Sequence, residues 1–155
     1  MNRIFPPRVM LALTLSVASL SAFAIDSIPL DQLRAGLWKV ERKVEKLDLN
    51  PVEYETRNSE YCASPKKELT RMLRAASILC KSTITAVTDK KYQVQARCNL
   101  PGVSGSNTTV ITIVSADEYR AEVDTEGSVF GKQQHRKEQI SATRAGDCKD
   151  RKSVV

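Results

Sequence analysis

The chain has 155 residues, of which 41% are hydrophobic and only 5% aromatic, and its formal net charge is +6. This length suits one domain and leaves little room for two. The few aromatic residues and the interleaving of basic with acidic side chains argue against a nucleic-acid-binding protein.

Residues 1–24 are typical of a cleavable export signal. Arg3 and Arg8 precede an apolar run from Val9 to Leu20. Ala22-Phe23-Ala24 then matches an A-x-A cleavage site. The run is too short to span a bilayer, and no later run is long enough. We therefore expect a periplasmic protein without a transmembrane segment in its mature form, with secretion as the alternative. An uncleaved anchor helix is the other interpretation of this segment.

The first predicted strand covers residues 36–48, where apolar and charged side chains alternate with a period of two. Trp38 and Val40 lie on its apolar side, and Arg42 falls on the same side. An Asn-Pro turn follows, and residues 52–61 are predicted to return as the second strand of a hairpin.

A helix is predicted next, near residues 64–76. Ser64 suits the N-cap, and Pro65 suits the first helical position, where its missing N–H would be unpaired in any case. Apolar residues recur with helical spacing at Leu69, Met72, Leu73 and Ala76. The remaining surface is basic, with Lys66, Lys67, Arg71 and Arg74. A solvated face is the simplest interpretation, and contact with an anionic membrane or polymer is the alternative.

Residues 80–87 and 91–98 give the clearest hairpin. If the pairing is centred on Asp89, the apolar side chains share one face, with Ile84 opposite Val94 and Cys80 opposite Cys98. The same register places Ser82 opposite Ala96 and Ala86 opposite Tyr92. Four cysteines allow three pairings, and this register favours Cys80–Cys98, which leaves Cys62–Cys148 by elimination.

The remainder of the chain predicts three more strands and two loops. The strands cover residues 108–114, 119–124 and 132–143, and the loops cover 99–107 and 126–131. We therefore expect residues 25–148 to form a single disulfide-stabilised β-rich domain and residues 149–155 to form a charged, disordered tail. About seven short strands without βαβ alternation predict a mainly β fold, either a strongly curved antiparallel sheet or a partly open up-and-down barrel.

Several short motifs resemble the domain of unknown function 3617 family of small exported bacterial proteins. They are Gly36-Leu37-Trp38, Tyr61-Cys62, the Cys80 and Cys98 pair, Glu118-Tyr119, and Gly146-Asp147-Cys148. The resemblance implies a periplasmic, disulfide-containing β-rich domain and implies no activity. Members often carry a Met-rich or Gly-Pro-rich insert between the first two strands, whereas this chain has a short connection there.

No catalytic, metal or cofactor site is predicted. His135 is the only histidine, the cysteines lack the C-x₂-C spacing of a zinc site or redox motif, and G-x-S-x-G is absent. We therefore expect a protein that is not an enzyme.

The leading hypothesis is a non-enzymatic protein that binds a small hydrophobic or amphipathic ligand on the concave face of the sheet. The residues predicted to line that face are Trp38, Val40, Arg42, Ile84, Tyr92, Val94, Tyr119 and Val123. In the other interpretation Trp38 is a core anchor, and Arg42 lies near a strand end or pairs with an internal carboxylate such as Glu138. The alternative function is an envelope protein-interaction or maintenance module that uses its basic outer surface.

Overall fold

The structure is a computed structural model that describes residues 27–148. The predicted signal peptide and tail lie outside these residues. A short 3₁₀ helix, Leu30–Gln32, precedes the main elements. These are β1 (Gly36–Lys46), β2 (Glu53–Ala63), α1 (Pro65–Leu79), β3 (Lys81–Ala86), β4 (Lys91–Leu100), β5 (Val103–Ser115), β6 (Glu118–Val129) and β7 (Lys132–Gly146).

The seven strands form one antiparallel sheet in the order β2-β1-β7-β6-β5-β4-β3. This confirms the mainly β fold with one inserted helix. The sheet does not close, because β2 and β3 lie at its two edges. Strand β1 lies inside the sheet, between its hairpin partner β2 and the last strand, β7.

We call the face of the sheet that carries Trp38 the inner face, and the opposite face the outer face. Along β1 the inner side chains are those of Trp38, Val40, Arg42 and Val44, and three of these four residues are buried. Lys39, Glu41 and Lys43 alternate with them on the outer face, as the period-2 pattern predicts.

The hydrophobic core lies between the inner face and two covering segments, α1 and residues 28–33. Trp38 is only 1% exposed, and its ring centroid lies 5.6 Å from that of Tyr119. The indole Nε1–H donates a hydrogen bond to the Arg34 carbonyl oxygen, at 3.1 Å. That bond satisfies the one polar atom of the buried indole, so Trp38 can anchor the core without an unpaired donor.

Helix α1 connects the two edge strands and crosses the inner face between them. It begins at Pro65 as predicted, but it ends at Leu79, three residues later than predicted. The Cys80 N–H donates to the Ala76 carbonyl oxygen at 2.8 Å, which completes the last turn. The helix packs on β3, β4 and the 3₁₀ helix. No helix within residues 27–148 is long and apolar enough to cross a membrane.

The predicted β3–β4 register is confirmed. Ile84 lies opposite Val94, Ser82 opposite Ala96, and Ala86 opposite Tyr92. Both predicted disulfides are present, with Cα–Cα distances of 4.3 Å for Cys80–Cys98 and 5.8 Å for Cys62–Cys148.

The two predicted loops, 99–107 and 126–131, are largely wrong. Strand β5 begins at Val103 and β6 extends to Val129, so only Pro101-Gly102 and Phe130-Gly131 separate strands there. Gly105 lies opposite Gly127 in this extension, and a Cβ on Gly127 would lie 2.7 Å from the Gly105 Cα. The glycines that suggested loops are therefore paired where two backbones approach closely.

Candidate functional site

The structure brings most of the predicted ligand-lining residues together as packed core. Five of them are buried in the core cluster, namely Trp38, Val40, Tyr92, Val94 and Tyr119, and Ile84 packs against that cluster. Arg42 and Val123 lie on the same face but outside the cluster. The part of the inner face left for a ligand is therefore the part that lies beyond the core, from Arg42 onward along β1.

Helix α1 packs on β3 and β4. It leaves the inner face of β2, β1 and β7 uncovered between Trp38 and the Lys46 end of β1. We call this area the charged half of the inner face. Its members are Arg42, Val44, Lys46, Glu53, Glu55, Arg57, Arg136 and Glu138. Val44 is buried although the residues directly opposite it, Glu55 and Glu138, are charged. Long charged side chains can cover an apolar residue with their aliphatic stems while their charged ends reach solvent.

Ion pairs form both between and along the strands of the charged half. Arg42 Nε lies 3.7 Å from Glu138 Oε2, which confirms the predicted internal carboxylate partner. Arg57 Nε donates to Glu55 Oε1 at 2.5 Å, and this guanidinium holds the pKa of Glu55 below its usual range. The Arg42 side chain is 48% exposed and that of Arg57 is 67% exposed. Both guanidinium groups therefore remain accessible to a ligand.

The charged half also places cations directly opposite cations. Arg42 lies opposite Arg57 between β1 and β2, and Lys46 lies opposite Arg136 between β1 and β7. Like charges in directly opposed positions destabilise a sheet. Across residues 27–148 the only other such pair is Lys81–Arg97, and no two carboxylates oppose each other. Two of the three cationic pairs therefore share one half of one face.

Tyr61 and Glu68 border the charged half on the side of the helix. Burial raises the pKa of the Tyr61 hydroxyl, and the nearby Glu68 carboxylate raises it further. Burial also raises the pKa of Glu68. Met72 lies one turn after Glu68 on the same side of α1 and is 59% exposed. The edge of the charged half next to α1 is thus partly apolar, whereas the charged half itself carries three arginines.

The other polar residues singled out in the sequence lie elsewhere. His135 is on the outer face of β7, with Nε2 3.1 Å from Asp124 Oδ1. All four cysteines are in disulfides, and within residues 27–148 no three potential metal ligands gather. The basic residues of α1 are exposed, namely Lys66, Lys67, Arg71 and Arg74.

Sequence reasoning found Arg42 and missed Arg57 and Arg136. The alternation of β2 places Arg57 on the same side as Tyr61, so the sequence alone could have predicted that Arg57 lies on the inner face. Its position opposite Arg42 depends on the β1–β2 register. The position of Arg136 depends on pairing between the first and last strands, for which the sequence carries no local signal.

A comparison with protein families identifies the family of this chain. The model of the family described as "Protein of unknown function (DUF3617)" matches residues 33–148, about three quarters of the chain. The matched range includes all seven strands, the helix and the four cysteines. No curated protein and no solved structure matches the chain.

Proposed function

The chain belongs to the DUF3617 family, whose description gives no function, and we propose that it is a non-enzymatic periplasmic protein that binds an amphipathic molecule with a phosphate or carboxylate head. The head would lie on Arg42, Arg57 and Arg136, in the charged half of the inner face. The apolar part would lie along Tyr61 and Ile140.

The cationic pair Arg42–Arg57 is the observation that carries this proposal. Its two guanidinium groups lie on directly opposed positions, and each is shared with only one carboxylate within the described residues. Guanidinium groups bind phosphate and carboxylate in a bidentate manner, so an anion bridging both side chains would relieve their repulsion. The ligand would thereby supply the charge that the sheet lacks.

The surroundings of this pair favour an amphipathic ligand over a free inorganic anion. Tyr61 is 40% exposed and lies close enough to Arg42 for that guanidinium to affect the pKa of its hydroxyl. Ile140 lies directly opposite Arg42 on β7 and is partly buried. An alkyl chain could cover these apolar surfaces while its head contacts the arginines. The two disulfides agree with a periplasmic setting, where thiols are oxidised.

The proposal is tested by titrating the purified, oxidised protein with dodecyl phosphate in a calorimeter, below the micelle concentration of the detergent. We expect saturable binding that weakens at least about tenfold in Arg42→Gln/Arg57→Gln, because charge-assisted hydrogen bonds to both guanidinium groups are lost. Dodecyl maltoside, which has an uncharged head, should bind more weakly than dodecyl phosphate to the unsubstituted protein.

Arg120→Gln is the matched control, since Arg120 is an exposed arginine on the outer face of β6 and pairs with Glu118 at 2.8 Å. Its affinity should equal that of the unsubstituted protein. Equal affinity of the double variant and this control would contradict the proposal. So would a stronger interaction with the uncharged detergent.

A further inference from the structure

Exposed apolar side chains gather at one end of the sheet. At this end lie the Pro101-Gly102 turn, the Phe130-Gly131 turn and the C-terminus of α1. We call the cluster the apolar tip, and it consists of Ile78, Leu79, Leu100, Pro101, Val129 and Phe130. Phe130 and Ile78 are each 82% exposed. Large side chains this exposed indicate an interaction surface when they are contiguous.

Strand pairing and a disulfide hold the tip together. Val103 lies opposite Val129, which aligns the two turns, and the Phe130 N–H donates to the Gly102 carbonyl oxygen at 2.7 Å. The Phe130 ring lies over Gly102, where a Cβ would be 2.6 Å from the ring. Cys80–Cys98 then joins the end of α1 to β4, two residues before Leu100. The tip is thus built by three neighbouring elements.

Phe130 is a poor residue for the turn it occupies. Its φ is +48° and that of Gly131 is +82°, so both turn residues are left-handed. Two-residue turns of this kind favour Asn-Gly, and a bulky residue with positive φ is an outlier. Because the ring is exposed, burial does not compensate for this conformation. An interaction outside the chain would account for an aromatic residue at this position.

Unpaired cations surround the tip. Lys81 lies opposite Arg97 on the outer face, and Lys132 follows the Phe130-Gly131 turn. None of the three forms an ion pair within residues 27–148. The chain carries no acidic residue between Asp89 and Asp117, so the whole β4–β5 hairpin is free of negative charge.

We propose that the apolar tip inserts into the surface of an anionic phospholipid bilayer. Phe130, Leu100 and Val129 would enter the region between head groups and acyl chains, and Lys81, Arg97 and Lys132 would contact the phosphates. The apolar side chains match the acyl-chain region of such a surface, and the surrounding unpaired cations match its layer of phosphates. This proposal is independent of ligand binding in the charged half, which lies on a different part of the sheet.

Co-sedimentation with vesicles of phosphatidylglycerol and phosphatidylcholine tests the proposal on the purified, oxidised protein. We expect Phe130→Asn to weaken vesicle binding about tenfold or more, since the aromatic ring is lost. Its thermal midpoint should be equal to or higher than that of the unsubstituted protein, because asparagine suits the turn. Val87→Asn is the matched control, since Val87 is 52% exposed at the opposite end of the sheet and should not affect vesicle binding.

A second pair of variants separates insertion from adsorption by charge. Tryptophan emission of Phe130→Trp should shift to shorter wavelength when these vesicles are added, whereas Val87→Trp should show no shift against the constant signal of buried Trp38. Lys81→Gln/Arg97→Gln should weaken binding and reduce its salt dependence. The proposal is overturned if the unsubstituted protein does not bind the vesicles, which would favour a protein partner for the tip. It is also overturned if Phe130→Asn binds them as tightly as Val87→Asn.

Discussion

Tyr119 shows how the core and the charged half meet at a single side chain. Its ring packs on Trp38, and the residue is 8% exposed. Burial raises the pKa of its hydroxyl to about 12, with smaller contributions from Tyr61 and Glu68. An ionised Tyr119 would therefore be strongly disfavoured in the folded protein.

This pKa predicts a loss of stability in alkaline solution. An unfolded tyrosine has a pKa of about 10, so between pH 10 and 12 the unfolded chain releases a proton that folded Tyr119 retains. Its contribution is fully present below pH 10 and falls by about 2 kcal/mol as the pH rises to 12. Measured by urea unfolding over this pH range, the free energy of unfolding should decline less steeply for Tyr119→Phe than for the unsubstituted protein. Tyr54→Phe, at a position 74% exposed, should follow the unsubstituted protein, and equal slopes for all three proteins would refute the assignment.

At the scale of elements, α1 is a cross-connection fixed at both ends. Cys62 precedes the helix by three residues and bonds to Cys148 after β7, and Cys80 follows it directly and bonds to Cys98 on β4. The helix buries only Pro65 and Leu69 fully. Covalent attachment thus complements a helix whose own contribution to the core is small.

The two disulfides should differ in their effect on stability. The sequence separations are 86 for Cys62–Cys148 and 18 for Cys80–Cys98. Restriction of the unfolded chain predicts losses of about 4.5 and about 3 kcal/mol when they are removed. Urea unfolding of Cys62→Ser/Cys148→Ser and Cys80→Ser/Cys98→Ser would measure both losses. A larger loss for the shorter loop would show that native contacts of α1, and not chain restriction, dominate.

Local patterns predicted some elements well and others poorly. The β3–β4 register followed from the alternation that puts Ile84 and Val94 on one face. The start of α1 followed from Ser64-Pro65, although the Ser64 side chain makes no capping hydrogen bond. The extension of β5 and β6 was missed because Gly105 and Gly127 have low strand propensity by themselves, and only their pairing makes them strand residues.

At the scale of the whole molecule, the sheet places its first and last strands, β1 and β7, side by side. Strand β7 pairs with both β1 and β6, while β2 is an edge strand and exposes most of its residues. Arg42 could be assigned to a face from β1 alone. The charged half as a site could not, because Arg136 reaches it through its pairing with Lys46, about ninety positions earlier in the chain.

Amide hydrogen exchange should reflect this arrangement. We expect the amides of β7 and β6 to exchange only when the whole domain unfolds, because both strands are paired on two sides and carry core residues. Amides of β2 should exchange faster, through local opening of one edge. Mass spectrometry of peptides from the exchanged protein would resolve the two groups. Equal protection of β2 and β7 would contradict the expected order.

The place of β1 between β2 and β7 also affects the order in which the sheet can assemble. One edge of β1 can gain a partner as soon as β2 is available, but its other edge must wait for β7, about ninety residues further along the chain. Throughout that interval a half-built sheet presents unsatisfied main-chain groups, which other chains could pair with. The lysines and glutamates that alternate along β1 would discourage such encounters until the sheet is complete.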